Sequence, residues 1–317
     1  MSTQGKKRLG IVGARGHTGS ELLRLLAGHD GFEIAFVSSR ELAGEPVRDH
    51  VPELDSDLRF EDVDPRQAGE YEADAYVLAL PNDLSRSFVK AIDFLNEDAI
   101  IVDLSADHRF LPHWQYGLPE RFREQIRSAT RIANPGCYAT GMQLTLYPLL
   151  DILNETPHVF GVSGYSGAGT KPSPKNDLNV LSDNLMPYAL SGHVHEREVS
   201  FQLARAVHFM PHVAPFFRGI TLTISTVIEP AGDPELIYER LQAYYENEPL
   251  VRVIEDTPLV KDNAGKHHVT IGGITMDDTG YRLVLVATLD NLLKGAATQA
   301  LQNLNLASGF DELEGIT

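Results

Sequence analysis

The sequence predicts an α/β, doubly wound first half followed by an α+β second half with a mainly antiparallel sheet. Three observations carry this reading. Up to about residue 140, short continuous apolar runs alternate with amphipathic helical patterns, as parallel strands covered on both faces require. Beyond that point, long runs with β-branched alternation take over. At 317 residues the chain also exceeds one comfortable hydrophobic core.

The elements follow in order. "RLGIVGA" is a short apolar strand, and "GSELLRLLAG" is a helix with leucines at helical spacing and Gly28 placed to end it. "FEIAFVSS" is the second strand. "DAYVLALP" and "AIIVDLS" are two further strands, with "SRSFVKAIDFL" as the helix between them. In the second half, "RGITLTISTVIEP" and "GYRLVLVATL" read as antiparallel strands. "DPELIYERLQAYYENE" reads as a helix capped by Asp233 with Pro234 in its first turn. The last helix, "NLLKGAATQALQNLNLA", is rich in small residues and suited to close packing. These patterns divide the chain into residues 1–140, completed by the C-terminal segment 291–317, and residues 141–290.

The first strand and helix are joined by Gly13, Arg15, Gly16, His17, Thr18 and Gly19, a G-x-x-G-x-x-G spacing. A tight turn, a bare backbone and a helix N-terminus together receive a pyrophosphate, so this half is a Rossmann-type cofactor domain. The second strand ends in Ser38, Ser39 and Arg40, where NAD-binding chains usually offer a carboxylate to the ribose. Hydroxyls and a guanidinium suit a 2′-phosphate instead, with Arg15 adding charge and Glu41 turned away. The expected cofactor is therefore NADP(H).

The single cysteine, Cys137, sits in "NPGCYATG" between a Pro-Gly turn and a helical run with Met142, Leu146, Leu149 and Leu150. Pro148 ends or kinks that run. A helix N-terminus stabilises a thiolate, which marks Cys137 as a nucleophile rather than a packing residue. Among twelve histidines, His193 and His195 in "GHVHEREVS" are two apart, which places them on one face if the segment is extended. His-x-His and His267-His268 offer metal nitrogens, but no clustered cysteines or H-E-x-x-H helix accompany them, and no metal is expected. The loop "SGYSGAGTKPSPKN" carries Lys171 and Lys175 toward phosphate or carboxylate oxygens. Arg109 in "DLSADHRF" is read two ways, as an anion ligand or as an interior ion pair with Asp103 or Asp107.

With "GARGHTGSELLRLL", "DLSADHRF", "YGLPE", "NPGCYATG", "SGYSGAGTKP", "GHVHEREVS" and "KGAATQALQNLNL" in order from about residue 8 to 306, the chain resembles the N-acetyl-gamma-glutamyl-phosphate reductases of arginine biosynthesis. Its wider relatives are the aspartate-semialdehyde and phosphorylating glyceraldehyde-type dehydrogenases. The resemblance implies an NADPH-dependent reduction of an acyl phosphate through a Cys137 thioester, releasing inorganic phosphate. It also implies a histidine acid/base in the His193/His195 block, His193 ranked ahead, and Ser166 and Gly167 near the nicotinamide. Arg109, Asn134, Lys171, Arg197 and Glu198 are the candidate substrate ligands. Thr170 stands where many members carry arginine and Val194 departs from their His-Arg-His run, so Arg197 is the candidate replacement cation. The resemblance implies a homodimer or homotetramer. Alternatives are a reductase of aspartyl or aminoadipyl phosphate and a non-catalytic NADP-binding sensor.

Composition narrows the field further. A formal net charge of -17 disfavours nucleic acid and anionic membranes as partners. No window approaches the roughly 18 apolar residues of a membrane helix, the N-terminus lacks a signal-peptide apolar region, and one cysteine forms no internal disulfide. These features point to the cytoplasm.

Overall fold

In the computed structural model, which describes residues 5–316, the chain forms two compact units. The first contains the chain up to Gly136 and from Ala296 onward, and the second is Cys137–Gly295. The division falls before Cys137, earlier than the residue 140 expected from pattern. The reason is packing: the helix that Cys137 opens is buried against the second unit's sheet.

The first unit runs β1 (Lys7–Val12), α1 (His17–Leu26), β2 (Phe32–Ser38), β3 (Phe60–Glu61), α2 (Pro65–Glu70), β4 (Ala75–Leu78), α3 (Ser85–Leu95), β5 (Ile100–Asp103), β6 (Gln115–Tyr116), α4 (Pro119–Arg127) and β7 (Arg131–Ala133). Its seven strands lie in the order β3-β2-β1-β4-β5-β7-β6, all parallel. The chain winds outward from β1 to β3 and then restarts at β4 on the other side of β1. The reversal between β1 and β4 opens a crevice at their C-terminal ends. β4 and β5 are buried along their whole length, which is why they read as unbroken apolar runs.

The C-terminal helix (Thr298–Ser308) returns to this unit. Two of its buried asparagines bond to other parts of this unit. Asn303 donates to the Gly117 carbonyl and to Asn134 Oδ1, both at 2.9 Å, and Asn305 Oδ1 meets His29 Nε2 at 2.8 Å.

The second unit runs α5 (Cys137–Leu146), β8 (His158–Gly164), α6 (Leu178–Leu181), β9 (Met186–Pro187), α7 (Val194–Leu203), β10 (His208–Ala214), β11 (Ile220–Val227), α8 (Pro234–Tyr244), β12 (Val251–Val253), α9 (Val260–Asn263), β13 (Val269–Met276) and β14 (Arg282–Leu289). Its sheet has the order β12-β13-β14-β11-β8-β10-β9. The central β14-β11-β8 ladders are antiparallel, while β8–β10 and β12–β13 are parallel.

Every residue of α5 after Cys137 is buried, the signature of a helix enclosed on all sides. It lies so close to the sheet that a Cβ on Gly141 would stand 2.6 Å from Leu222 and 3.1 Å from Leu289. Its polar side chains turn inward: Gln143 donates to the Ala139 carbonyl and Thr145 to that of Gly141. Among the described residues no helix is long and apolar enough to cross a membrane.

Candidate active site

In the first unit, the glycine loop lies at the crevice between β1 and β4. Gly13 has φ +82, a conformation that side chains rarely adopt, and a Cβ there would stand 2.4 Å from the Ala79 carbonyl oxygen. The Gly13 and Ala14 N–H groups donate to the Ser38 carbonyl at 3.1 and 2.9 Å, tying the loop to the end of β2. Gly19 lets α1 approach the strand end, since a Cβ there would meet Ala14 Cα at 2.6 Å. Gly16 differs: the nearest atom to a Cβ is the Gly13 carbonyl oxygen at 3.7 Å. The loop thus keeps open backbone at the position where α1 begins, with no side chain of Gly16 to cap it. His17 and Thr18 form the first turn. This arrangement fits a dinucleotide pyrophosphate.

Beside it, Ser38 and Ser39 are buried and Arg40 is exposed. Ser39 Oγ accepts the Leu42 N–H at 3.3 Å. One expectation is corrected here. Glu41 does not turn away: its carboxylate pairs with Arg15 Nε at 2.7 Å, because both side chains leave the adjacent loops on the same exposed side.

Asp103, at the end of β5, gathers its own network. It accepts His108 Nδ1 at 2.6 Å and the Ser105 hydroxyl at 2.7 Å, and His108 stacks on Trp114 at 3.9 Å. Arg109 follows His108 in the chain. It is buried and donates to the carbonyls of Asn134 and Leu104 at 2.9 and 2.8 Å, so it braces the chain entering the Pro-Gly turn. Asn134 is likewise buried and bonded to Asn303. Both residues support the turn that precedes Cys137.

In the second unit, Cys137 is the first residue of α5 and is partly exposed. Next to it Tyr138 donates its hydroxyl to the His212 carbonyl at 2.9 Å. The Tyr138 ring meets His193 at 6.5 Å, His195 at 5.9 Å and Phe209 at 4.8 Å, each edge to face. The two histidines lie 4.8 Å apart by ring centroids.

The segment that carries this pair is not extended. His193 is the N-cap of α7, its Nδ1 accepting the His195 N–H at 3.1 Å. A helix starts there because a capping acceptor precedes a run of good helix formers, with Glu196 in the first turn. An Nδ1 that accepts leaves the ring hydrogen on Nε2. Burial, and then the charge of Lys175, press the His193 pKa down to about 4. Burial holds the Tyr138 and Tyr188 hydroxyls neutral, and the charge of Cys137 adds to both. The thiol, the two phenols and His193 therefore form one electrostatic neighbourhood.

Glu198 is fully buried on α7, while Arg197 on the same helix and Lys171 on the loop are exposed. Ser166 Oγ accepts the Asn291 amide at 2.9 Å, and Asn291 Oδ1 accepts the Gly219 N–H at 2.7 Å. A Cβ on Gly167 would stand 2.9 Å from Ser163 Oγ.

Several residues escape the sequence reading. Tyr188 lies 5.6 Å from His193 with the Lys175 ammonium 4.9 Å over its ring. Gly295 belongs to a π-helical turn, Leu293–Ala297, and a Cβ on it would stand 2.7 Å from Cys137 Cβ. That turn hangs on Asp290, fully buried, which accepts the Leu292 and Leu293 N–H groups and a two-pronged contact from Arg218 at 2.6 and 3.2 Å. The only hint in the sequence is Asp290-Asn291, two polar residues interrupting an apolar stretch.

A parallel sheet with a dinucleotide crevice and a second sheet bearing a helix-head cysteine define the semialdehyde dehydrogenase class. Comparison agrees: residues 8–129 match the semialdehyde dehydrogenase NAD-binding domain, and 137–291 match its dimerisation domain. The chain is 56% identical over 308 residues to N-acetyl-gamma-glutamyl-phosphate reductase of Stenotrophomonas maltophilia, covering 97% of each. It is 55% identical over 311 residues to that of Xanthomonas euvesicatoria, covering 98% of each. Aspartate semialdehyde dehydrogenase II of Vibrio cholerae shares the fold, with TM-score 0.79 and 20% identity over 96% of this chain and 99% of that one. The chain belongs to the N-acetyl-gamma-glutamyl-phosphate reductase family.

Proposed function

We propose that the chain carries out its family's reaction, the NADPH-dependent reductive dephosphorylation of N-acetyl-gamma-glutamyl phosphate to the semialdehyde, through a thioester on Cys137. The observation that carries this reading is Cys137 at the head of α5, within one cluster with Tyr138, His193 and His195. The helix N-terminus favours the thiolate. The thiolate attacks the acyl carbon, the C–O bond to phosphate breaks, and inorganic phosphate leaves. When bound, NADPH supplies the hydride that reduces the thioester carbonyl.

The rest belongs to the chain's own residues. His193 donates a hydrogen bond from its Nε2–H to the oxygen of the thiohemiacetal, and His195 gives that oxygen a proton and takes it back. The C–S bond then breaks, releasing the aldehyde and restoring the thiolate. Backbone N–H groups at the start of α5 stabilise the oxyanion. Glu198, buried on the same helix, orients the pair. Arg197 and Lys171 contact substrate anions.

For the cofactor, Gly13, Gly16, His17, Thr18 and Gly19 receive the pyrophosphate. Ser38, Ser39 and Arg40 receive the 2′-phosphate, with Arg15 joining once it leaves Glu41. Ser166 and Gly167 border the nicotinamide. The match to a dimerisation domain supports a homo-oligomer built on the outer face of the second sheet, where Phe160, Met210 and Thr223 lie side by side and reach solvent.

The test is Cys137→Ser, assayed by phosphate-dependent reduction of NADP by N-acetylglutamate semialdehyde. Activity should vanish while NADPH binding persists. A variant keeping most of its rate would refute the covalent route.

A further inference from the structure

We propose that Lys175 binds the phosphate group of the acyl-phosphate substrate beside Cys137. This deepens the thioester reading and rests on it.

Lys175 lies on the 164–176 loop with its ammonium 4.9 Å over the face of Tyr188. Tyr188 is held in turn: its N–H donates to the Pro211 carbonyl on β10 at 3.2 Å, and its ring stands 5.6 Å from His193. A ring face orients a cation without neutralising it. Among the described residues no carboxylate pairs with Lys175. Its charge is felt at His193, while the charge of Cys137 is felt at the Tyr188 hydroxyl. Lys175 and the nucleophile thus share one aromatic neighbour.

The chemistry needs a cation there. A thiolate approaching an acyl phosphate meets a dianion, and that repulsion is strong in a partly dehydrated site. A lysine ammonium placed as a point charge offsets it and steadies the departing phosphate. Several other cations of this unit are engaged elsewhere or more exposed. Arg218 is clasped by Asp290, and Arg205 donates to the Leu153 and Glu155 carbonyls. Lys171 and Arg197 are exposed.

The experiment is steady-state kinetics of the reverse reaction for Lys175→Met, Lys175→Arg and Lys261→Met, with Cys137→Ser as a separate arm. Lys175→Met should raise the KM for inorganic phosphate about tenfold or more, the scale of losing one charge-assisted contact, with the KM for NADP unchanged. Lys175→Arg should recover part of the loss, and Lys261→Met, at an exposed position on α9, should behave as the parent enzyme. The pH dependence of the Lys175→Met rate should also shift upward, because His193 loses a neighbouring cation. A phosphate KM unmoved in Lys175→Met overturns the proposal, as does an equal rise in Lys261→Met. A rise confined to the aldehyde KM overturns it too, by giving Lys175 to the substrate carboxylate. An active Cys137→Ser would sink the thioester reading, whatever the lysine variants do.

Discussion

Replacing Gly295 with alanine tests whether the nucleophile is positioned by backbone contact. On helical propensity alone the change should stabilise, by about 1 kcal/mol. The structure reverses the sign. The new methyl carbon would stand 2.7 Å from Cys137 Cβ, 3.2 Å from Cys137 Cα and 3.1 Å from the Asp290 carbonyl oxygen. Carbon pairs rest at about 3.5–4.0 Å, so roughly 1 Å of separation must open. The π turn yields little, because the Gly295 N–H is bonded to the Asp290 carbonyl at 2.9 Å and Asp290 is clasped by Arg218. The head of α5 is therefore the part that moves. Overpacking of this kind costs about 1–3 kcal/mol, and a 1 Å displacement of a reacting group costs on the order of 100-fold in rate.

The assay has three readouts: urea unfolding, kcat in the reverse direction, and the pH dependence of iodoacetamide alkylation of Cys137. Gly295→Ala should lower stability by about 1–3 kcal/mol and kcat by about 100-fold, move the alkylation profile, and leave NADPH binding intact. Loss of stability with kcat and alkylation unchanged would show that the contact is packing only.

The remaining predictions concern the two units separately. Gly13→Ala should lower the unfolding midpoint, since its φ and the Ala79 carbonyl both forbid a methyl group. Gly16→Ala should leave the midpoint unchanged and weaken NADPH binding, measured by fluorescence titration. Equal stability losses in the two variants would contradict the distinction. His193 has a pKa of about 4 in the folded chain against an ordinary 6.5, so between those values the unfolded chain binds the extra proton. Stability should therefore fall as pH drops from about 6.5 to about 4 and be complete above that window. His193→Asn keeps a capping acceptor and should flatten the slope, as followed by denaturation midpoints across pH. An unchanged slope would remove His193 as its source.

What could be read from the chain alone is what short-range chemistry dictates. Apolar periodicity located the parallel strands, the Pro-Gly turn put Cys137 at the head of a helix, and Asp233 before Pro234 marked the start of α8, its side chain accepting the Glu235 N–H. Glycine spacing located the loop after β1, because a tight strand-to-helix turn needs bare backbone within a few residues. Whether the His193/His195 segment was extended stayed open in the sequence, and the capping power of His193 settled it as the start of a helix. Arg109 was left two readings by its charge, and neither foresaw the carbonyls of Leu104 and Asn134 that it meets. Tyr188 under Lys175, Gly295 against Cys137 and Arg218 on Asp290 join positions that lie far apart in sequence or belong to different elements. Periodicity and turn chemistry act over a few residues, so they specify elements and their ends. Which side chains share a neighbourhood depends on how the sheet orders its strands and how closely α5 settles on it, and packing of the whole unit decided that.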